Sequence, residues 1–302
     1  MRVKGGSMTT DVSKLYQNAC LIHFTSTYWQ CTKSLNPAIL KDKVDINSDW
    51  FKGRKYLINP DILGPIHTTQ HQARNFISKH SLPFPIQTIS LVLKEDITLI
   101  DNKLEEYKKL FWERVNGFMQ EYGPAREEAR SVLGELFDEN DYPEEIEKRF
   151  KFEWLYFNLG MPGKASILTP EIYTKAKEKF QQKMDETREL ALSALCTEFS
   201  DVVTNLAEKL NGNNGKTRMY KASMFNSLRD FLDDISGRNL FDDAKLKALS
   251  DQARTMIDGI NPYQIQYSTE VRNKVHQNMV VLKTAIDESI IDLPKRKLRL
   301  AA

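Results

Sequence analysis

The chain has 302 residues, of which 28% are charged and 41% are hydrophobic, a composition typical of a globular protein with one or two domains. Its 43 basic and 41 acidic side chains leave a formal net charge of +2, which excludes a chain that is basic throughout and coats nucleic acid by charge alone. It contains no apolar run of about eighteen residues and no apolar leader with a cleavage site, so we expect a cytoplasmic protein that neither spans a membrane nor is secreted.

The first ten residues are set apart from the predicted fold. Met1–Ser7, followed by a second methionine at Met8, resembles a leader added for expression. We therefore expect residues 1–10 to be a leader and a disordered start.

The next ninety residues predict a small α+β unit. Residues 18–32 are rich in β-branched and aromatic side chains and predict a strand, and residues 86–93 predict a second strand or an extended segment. Asn59-Pro60 predicts the start of a helix that leads to Ile77, because proline fits the first helical position; alternatively, Pro65 splits this first turn from a second helix. We expect this base to cover residues 11–100.

Residues 101–168 predict a helical domain, since apolar residues recur there every three or four positions. We expect Asp101 to cap the first helix and Gly123-Pro124 to end it. A shorter helix over 125–137 and an aromatic-rich helix over 144–159 follow.

A very long helix is predicted next. Thr169-Pro170 begins it, and nothing interrupts it before Leu210, about forty residues or roughly 60 Å later. This length predicts a helical hairpin over residues 169–237, a coiled-coil-like arm whose turn lies at 211–215. Further helices over 238–293 are expected to pack on the base, which makes the fold class mainly α with a small α+β amino-terminal part.

Two patterns resemble known sites, but each lacks a required part. Gly212–Thr217 ends like a phosphate-binding loop, yet Leu210 stands where the first glycine is needed and a helix, not a strand, precedes it. His67 and His71 lie four residues apart, so on a helix they share a face and could supply two metal ligands, but no third ligand is identifiable. We therefore predict no cofactor and no metal site.

No residue is predicted to be catalytic. The three cysteines, Cys20, Cys31 and Cys196, are too few and too scattered for a disulfide framework or a metal site, and we expect them to be reduced packing residues. The run Glu135–Glu147 has seven carboxylates and no cation, and we expect it to be solvated surface. The chain is predicted not to be an enzyme, with a site that assembles only in three dimensions as the open alternative.

Cations cluster in two places that could contact phosphates, the hairpin turn and the tail over 294–302. The candidate nucleic-acid-binding residues are Lys209, Lys216, Arg218 and Lys221 at the turn, and Lys295, Arg296, Lys297 and Arg299 in the tail.

Several short segments, taken together, resemble a bacterial and phage family of unknown function, DUF3150. They are Tyr28-Trp29, Lys55–Leu63, Ala73-Arg74, Leu82–Phe84, Leu110-Phe111 with Phe118 and Tyr122, Ser227–Phe231 with Asn239 and Asp242, and Val271-Arg272. The resemblance covers about residues 15–290 and lies in packing patterns. It implies an origin in phages or other mobile elements, sometimes near genes for MoxR-type AAA+ ATPases and von Willebrand factor A proteins, and it carries no catalytic residues.

The function expected from the sequence is therefore that of an interaction protein. We expect a non-enzymatic helical adaptor of a phage or mobile element, which docks to a protein assembly or self-associates through its helical arm, with an AAA+ ATPase system as a candidate partner. The alternative is a nucleic-acid-binding accessory protein that uses the basic hairpin turn and the tail.

Overall fold

The structure is a computed structural model, which describes residues 12–35, 53–160, 168–211, 222–260 and 262–291. It is mainly α-helical with a small β part, as the sequence predicts. The helices in the described residues are α1 (Val12–Asn18), α2 (Gly64–Lys79), α3 (Ile97–Leu133), α4 (Pro170–Leu210), α5 (Asn226–Arg238), α6 (Ala244–Ile257), α7 (Pro262–Tyr267) and α8 (Thr269–Ile291).

The strands form two small sheets. They are β1 (Ala19–Thr27), β2 (Thr32–Ser34), β3 (Arg54–Tyr56), β4 (Leu82–Pro83), β5 (Ile89–Leu93) and β6 (Lys151–Phe157). One sheet has the order β4-β5-β1-β6, and β4 and β5 are antiparallel with Leu82 opposite Leu91. The other pairs β2 with β3, antiparallel, with Thr32 opposite Tyr56.

The chain divides into two compact units, and each unit is built from segments that are separate in the sequence. Unit 1 comprises Met1–Leu21, Ser81–Lys94 and Phe157–Ala302, and unit 2 comprises Ile22–His80 and Glu95–Tyr156. This division differs from the segments predicted from the sequence, 11–100, 101–168, 169–237 and 238–293. The predicted base contributes to both units, because β4 and β5 belong to unit 1 while β2, β3 and α2 belong to unit 2.

The change of unit within β1 is visible in its burial pattern. Ala19 and Leu21 are buried in the core of unit 1. Ile22, Phe24 and Ser26, in the part that belongs to unit 2, are also buried. The buried positions therefore change from odd to even numbers at Leu21, where successive strand residues would otherwise alternate between faces.

Unit 2 has an aromatic core between α2, α3, β1 and β6. The Phe152 ring on β6 packs edge-on against Phe24 at 4.9 Å between centroids and against Phe111 of α3 at 5.3 Å. Phe118 of α3 lies 5.5 Å from Phe150. The core explains the two main differences from the predicted elements, both of which fall in unit 2.

The predicted helix end at Gly123-Pro124 is wrong, since α3 runs through both residues. A proline inside a helix removes one backbone hydrogen bond, and it also clashes with a preceding side chain, but Gly123 has no Cβ to clash. Ala125 and Ala129 beyond it are buried and extend the packed face of the helix. The predicted cap at Asp101 is wrong as well, because α3 begins at Ile97.

The predicted helix over 144–159 is also wrong. A short 3-10 helix covers Ile146–Arg149, and β6 follows it. The side chains of β6 alternate between two faces. Phe152 is buried and Trp154 is half-buried on one face, and Leu155 is exposed on the other. An aromatic-rich segment fits both the 3.6-residue period of a helix and the two-residue period of a strand. Pairing with a sheet favours the strand.

Unit 1 is a helical bundle built along α4. From Met184 to Leu210 this helix buries a stripe of residues against α8, α5 and β4. Phe199 stacks on Phe231 of α5 at 4.8 Å, and the Ser200 hydroxyl donates to Asp287 of α8 at 2.7 Å. The predicted pair of long helices is thus part of a bundle: α4 has 41 residues, its return helix α5 has 13, and α8 also packs along α4.

Candidate interaction surface

The first fourteen residues of α4 contain no buried side chain. We call Pro170–Lys183 the α4 extension; at 1.5 Å per residue it is about 21 Å long. Met184, directly after it, is the first side chain of α4 that is fully buried. The extension is therefore helical surface that the core of unit 1 covers only in part.

The extension begins with its own local signals, which favour a helix start at this position. The hydroxyl of Thr169 accepts from the Ile172 amide at 3.4 Å, and Pro170 occupies the first turn. The carboxylate of Glu171 lies near the amino-terminal end of the helix dipole, which favours negative charge. The predicted start at Thr169-Pro170 and the predicted end at Leu210 are both confirmed.

Apolar side chains follow one side of the extension. Tyr173, Ala176 and Phe180 recur every three or four residues and are half-buried, and Ile172 is 52% exposed. Phe180 packs against the core of unit 1. This amphipathic pattern is the kind that a partner groove or a partner helix covers.

Lysines follow an adjacent side of the same helix, which Ile172 shares because Lys175 and Lys179 lie three and seven residues beyond it. Lys175, Lys179 and Lys183 are four residues apart, so they share a face, and all three are exposed. Lys183 lies 2.8 Å from Glu186. Lys175 and Lys179 form no ion pair with any described residue, and their charges face solvent.

None of the eight basic residues predicted from the sequence belongs to the α4 extension. Lys209 is exposed in the last turn of α4, about 39 Å of helix from Lys183. The remaining seven lie outside the described residues: Lys216, Arg218, Lys221, Lys295, Arg296, Lys297 and Arg299. Gly212–Thr217, the loop that resembles a phosphate-binding motif, also lies outside them.

The acidic run Glu135–Glu147 is tied to the fold in several places. Glu139 pairs with Arg126 and, at 2.9 Å, with Arg130, both on α3. Asp141 pairs with Lys55 at 2.6 Å and with Lys33 at 3.3 Å. These partners make the run part of the stabilising contacts of unit 2, in addition to its exposed surface.

The cysteines show no sign of nucleophilic chemistry. All three are free, and Cys31 and Cys196 are buried. Burial raises the pKa of each thiol, that of Cys31 to about 11. A thiol with a raised pKa stays protonated at neutral pH, and the thiolate is the reactive form.

Two cavities of the described residues lie in unit 1. One, of about 420 Å³, is lined by Arg229, Arg254, Asp233 and Asp258 among others, and there the Nη1 of Arg254 lies 3.3 Å from Asp233. The other, of about 310 Å³, is lined by residues of α6 and α8. Neither lining includes a histidine or a cysteine, and within the described residues no group of three or more metal-ligating side chains converges.

A family model described as a protein of unknown function, DUF3150, matches residues 16–258 of the 302. The chain belongs to the DUF3150 family. Neither the curated proteins nor the solved structures contain a significant match.

The part of the chain matched by the DUF3150 family includes the whole of α4 and its extension, and it ends before α8. The family description names no activity. None of the helices in the described residues has the length and apolarity needed to cross a bilayer.

Proposed function

We propose that this DUF3150 protein is a non-enzymatic interaction protein that docks to a protein assembly through the α4 extension. The observation that carries the proposal is a capped, two-sided helix of fourteen residues without a buried side chain. A helix with an apolar stripe that its own core leaves half-covered gains free energy when a partner covers it, at about 25 cal/mol per Å² of apolar surface.

The chemistry of the extension indicates the chemistry of its partner. Ile172 and Tyr173 fit an apolar groove or a parallel helix face. Lys175 and Lys179 lie beside them without partners among the described residues, so the rim of that groove should be acidic. Such a rim would orient the helix and exclude basic surfaces.

We further propose that this assembly is an AAA+ ATPase system of a phage or mobile element. The support is the family resemblance, whose members are sometimes encoded near MoxR-type ATPases. Genes that lie close together do not demonstrate a contact between their proteins, so the test is direct binding.

The test is capture of the MoxR-type ATPase of the same genome by the purified protein after nuclease treatment. The variant Ile172→Gln/Tyr173→Gln should weaken capture at least about tenfold, because buried apolar and aromatic anchors dominate interface energies. The control variant Thr174→Gln/Glu178→Gln changes other faces of the same helical turns and should bind normally. Both variants should melt like the parent chain, since neither alters a buried residue.

Two results would contradict this proposal. One is equal capture by both variants, which would place the contact elsewhere. The other is no capture of the ATPase by the parent chain, which would exclude the ATPase as the partner.

A second candidate function is nucleic-acid binding, and the lysine face of the extension favours it. Lys175, Lys179 and Lys183 add a basic stripe to the cations predicted at the hairpin turn and in the tail. Each phosphate contact contributes about 0.9 to the slope of log affinity against log salt for duplex DNA. Lys175→Ala/Lys179→Ala should therefore lower that slope by about 1.8, measured by fluorescence anisotropy of a labelled duplex between 50 and 200 mM salt. An unchanged slope would exclude the extension as the nucleic-acid contact, and deletion of residues 294–302 would then test the tail.

A further inference from the structure

Helix α2 presents two histidines on one exposed face. His67 and His71 are one turn apart and exposed. The opposite face of the helix is fixed in unit 2 by its buried residues, Ile66, Thr69, Gln70, Ala73 and Ile77. Arg74, on the next turn, donates to the Ser26 carbonyl at 3.2 Å, which anchors the helix to β1. The two imidazoles therefore stand on a rigid support.

The two rings converge at their outer nitrogens. The Nε2 atoms of His67 and His71 lie 2.8 Å apart, the distance of a hydrogen bond in which one ring donates and the other accepts. The His67 ring also packs against Tyr28 at 5.4 Å between centroids, which limits its rotation. The two Nε2 atoms are thus close together before any ligand is bound.

The separation of the nitrogens indicates the coordination geometry that they can serve. With metal–nitrogen bonds of about 2.1 Å, a spacing of 2.8 Å gives a nitrogen–metal–nitrogen angle of about 84°. A cis pair at 90° needs about 3.0 Å, whereas a tetrahedral pair needs about 3.4 Å. The pair is close to the cis geometry of tetragonal or octahedral metals and short of the tetrahedral geometry that zinc prefers.

We propose that His67 and His71 form a bidentate site for Cu²⁺ or Ni²⁺, with water in the remaining positions. Two imidazole nitrogens are donors of the kind that these metals favour, and the absence of an oxygen ligand from the pair argues against Mg²⁺ and Ca²⁺. When the metal binds, it takes the place of the shared proton. The ring that donated from Nε2 becomes the tautomer protonated at Nδ1, so two neutral rings release no net proton.

The test is isothermal titration of the full chain with Ni²⁺ and with Zn²⁺ at neutral pH. A matched variant exchanges two neighbours, His71→Gln with Gln72→His, which keeps the composition but moves the second ring off the shared face. Loss of one ligand should weaken Ni²⁺ binding by more than the roughly 10–100-fold that loss of an outer-shell partner costs. Ni²⁺ should also raise the Tm of the parent chain but not that of the exchanged variant.

The controls are His80→Gln and His276→Gln, which remove histidines outside the pair and should leave Ni²⁺ affinity unchanged. Equal Ni²⁺ affinity of the parent and exchanged chains would overturn the site. Tighter binding of Zn²⁺ than of Ni²⁺ would overturn its cis geometry.

Discussion

Asp141 is the residue at which the acidic run is joined most closely to the fold. Its carboxylate is 11% exposed and receives one lysine on each oxygen, Lys55 on Oδ2 and Lys33 on Oδ1. The two lysines differ in burial: the Lys55 side chain is 10% exposed and the Lys33 side chain is 56% exposed. The Lys55 ammonium also donates to the Leu136 carbonyl.

This difference predicts unequal effects of removing each lysine. Lys55→Met should lower the free energy of unfolding by about 2–3 kcal/mol, because it leaves a nearly buried carboxylate without its closest partner. Lys33→Met should cost less than about 1 kcal/mol, as for an exposed ion pair. Urea denaturation of both variants measures the contrast, and equal losses would show that the two bonds contribute alike.

The same pair predicts a pH dependence on the acid side. Burial raises the pKa of Asp141, but the hydrogen bonds and charges of Lys55 and Lys33 outweigh it and hold the pKa below its usual value. The stabilisation is therefore present above the ordinary aspartate pKa and is lost as the pH falls through the lower, folded value. The difference in free energy of unfolding between the parent chain and Lys55→Met should become smaller below about pH 4.

Tyr142 predicts the corresponding effect on the alkaline side. Its hydroxyl is buried and donates to the Leu57 carbonyl at 2.6 Å, and burial, with the nearby Tyr122, raises its pKa to about 12. The stabilisation is therefore complete below pH 10 and is lost as the pH rises toward 12. Tyr142→Phe should cost about 1–2 kcal/mol at pH 7 and show a smaller further loss between pH 10 and 12 in denaturant titrations. If the free energy of unfolding fell equally in the parent chain and in Tyr142→Phe between pH 10 and 12, Tyr142 would not be the group responsible.

At the scale of elements, two glycines of the α3 region have opposite roles. Gly117 is exposed within the helix, and an added Cβ there would meet no atom within 4 Å. Gly134 follows the helix at φ +51°, a backbone conformation that side chains with a Cβ rarely adopt.

This contrast predicts opposite signs for the same substitution. Gly117→Ala should raise the free energy of unfolding by about 0.5–1 kcal/mol, because alanine loses less backbone entropy in a helix. Gly134→Ala should lower it by about 1–3 kcal/mol through backbone strain. Thermal denaturation distinguishes the two, and a shift in the same direction for both would contradict the assigned helix end.

The elements that the sequence predicts correctly are those set by local chemistry. The start of α4 depends on Thr169 and Pro170, whose effects act within one turn, so its position could be predicted. The continuation of α3 past Pro124 depends on the burial of Ala125 and Ala129 by distant residues, which no local pattern contains. The apolar pattern of residues 151–157 fits both a helix and a strand, and the pairing of this segment in the sheet makes it a strand.

The candidate surface was only partly predictable for a related reason. The helix that carries it is evident from the sequence, but the boundary at Met184 between covered and uncovered residues depends on which elements pack on α4. Lys175 and Lys179 are spaced along a helix, whereas the tail has consecutive cations that stand out in the sequence. The convergence of His67 and His71 requires the side-chain conformations, which their spacing of four only permits.

At the scale of the molecule, the division into units predicts that the amino-terminal hundred residues cannot fold alone. Leu82 and Leu91 are at most 2% exposed in the core of unit 1, which also contains Phe199 and Met279. A fragment of residues 11–100 lacks those partners and should show no cooperative thermal transition by circular dichroism, while the full chain should show one. A cooperative transition in the fragment would mean that the base predicted from the sequence is an autonomous domain.

The interleaving of the two units also has a consequence for synthesis on the ribosome. All of unit 2 has been made once Tyr156 has been added, whereas the core of unit 1 includes Ile286, about 130 residues later. At about 5–20 residues per second, that interval lasts roughly 7–26 s. Until the interval ends, Ala19, Leu21, Leu82 and Leu91 lack part of the helical core that buries them, and the nascent chain presents a target for a chaperone.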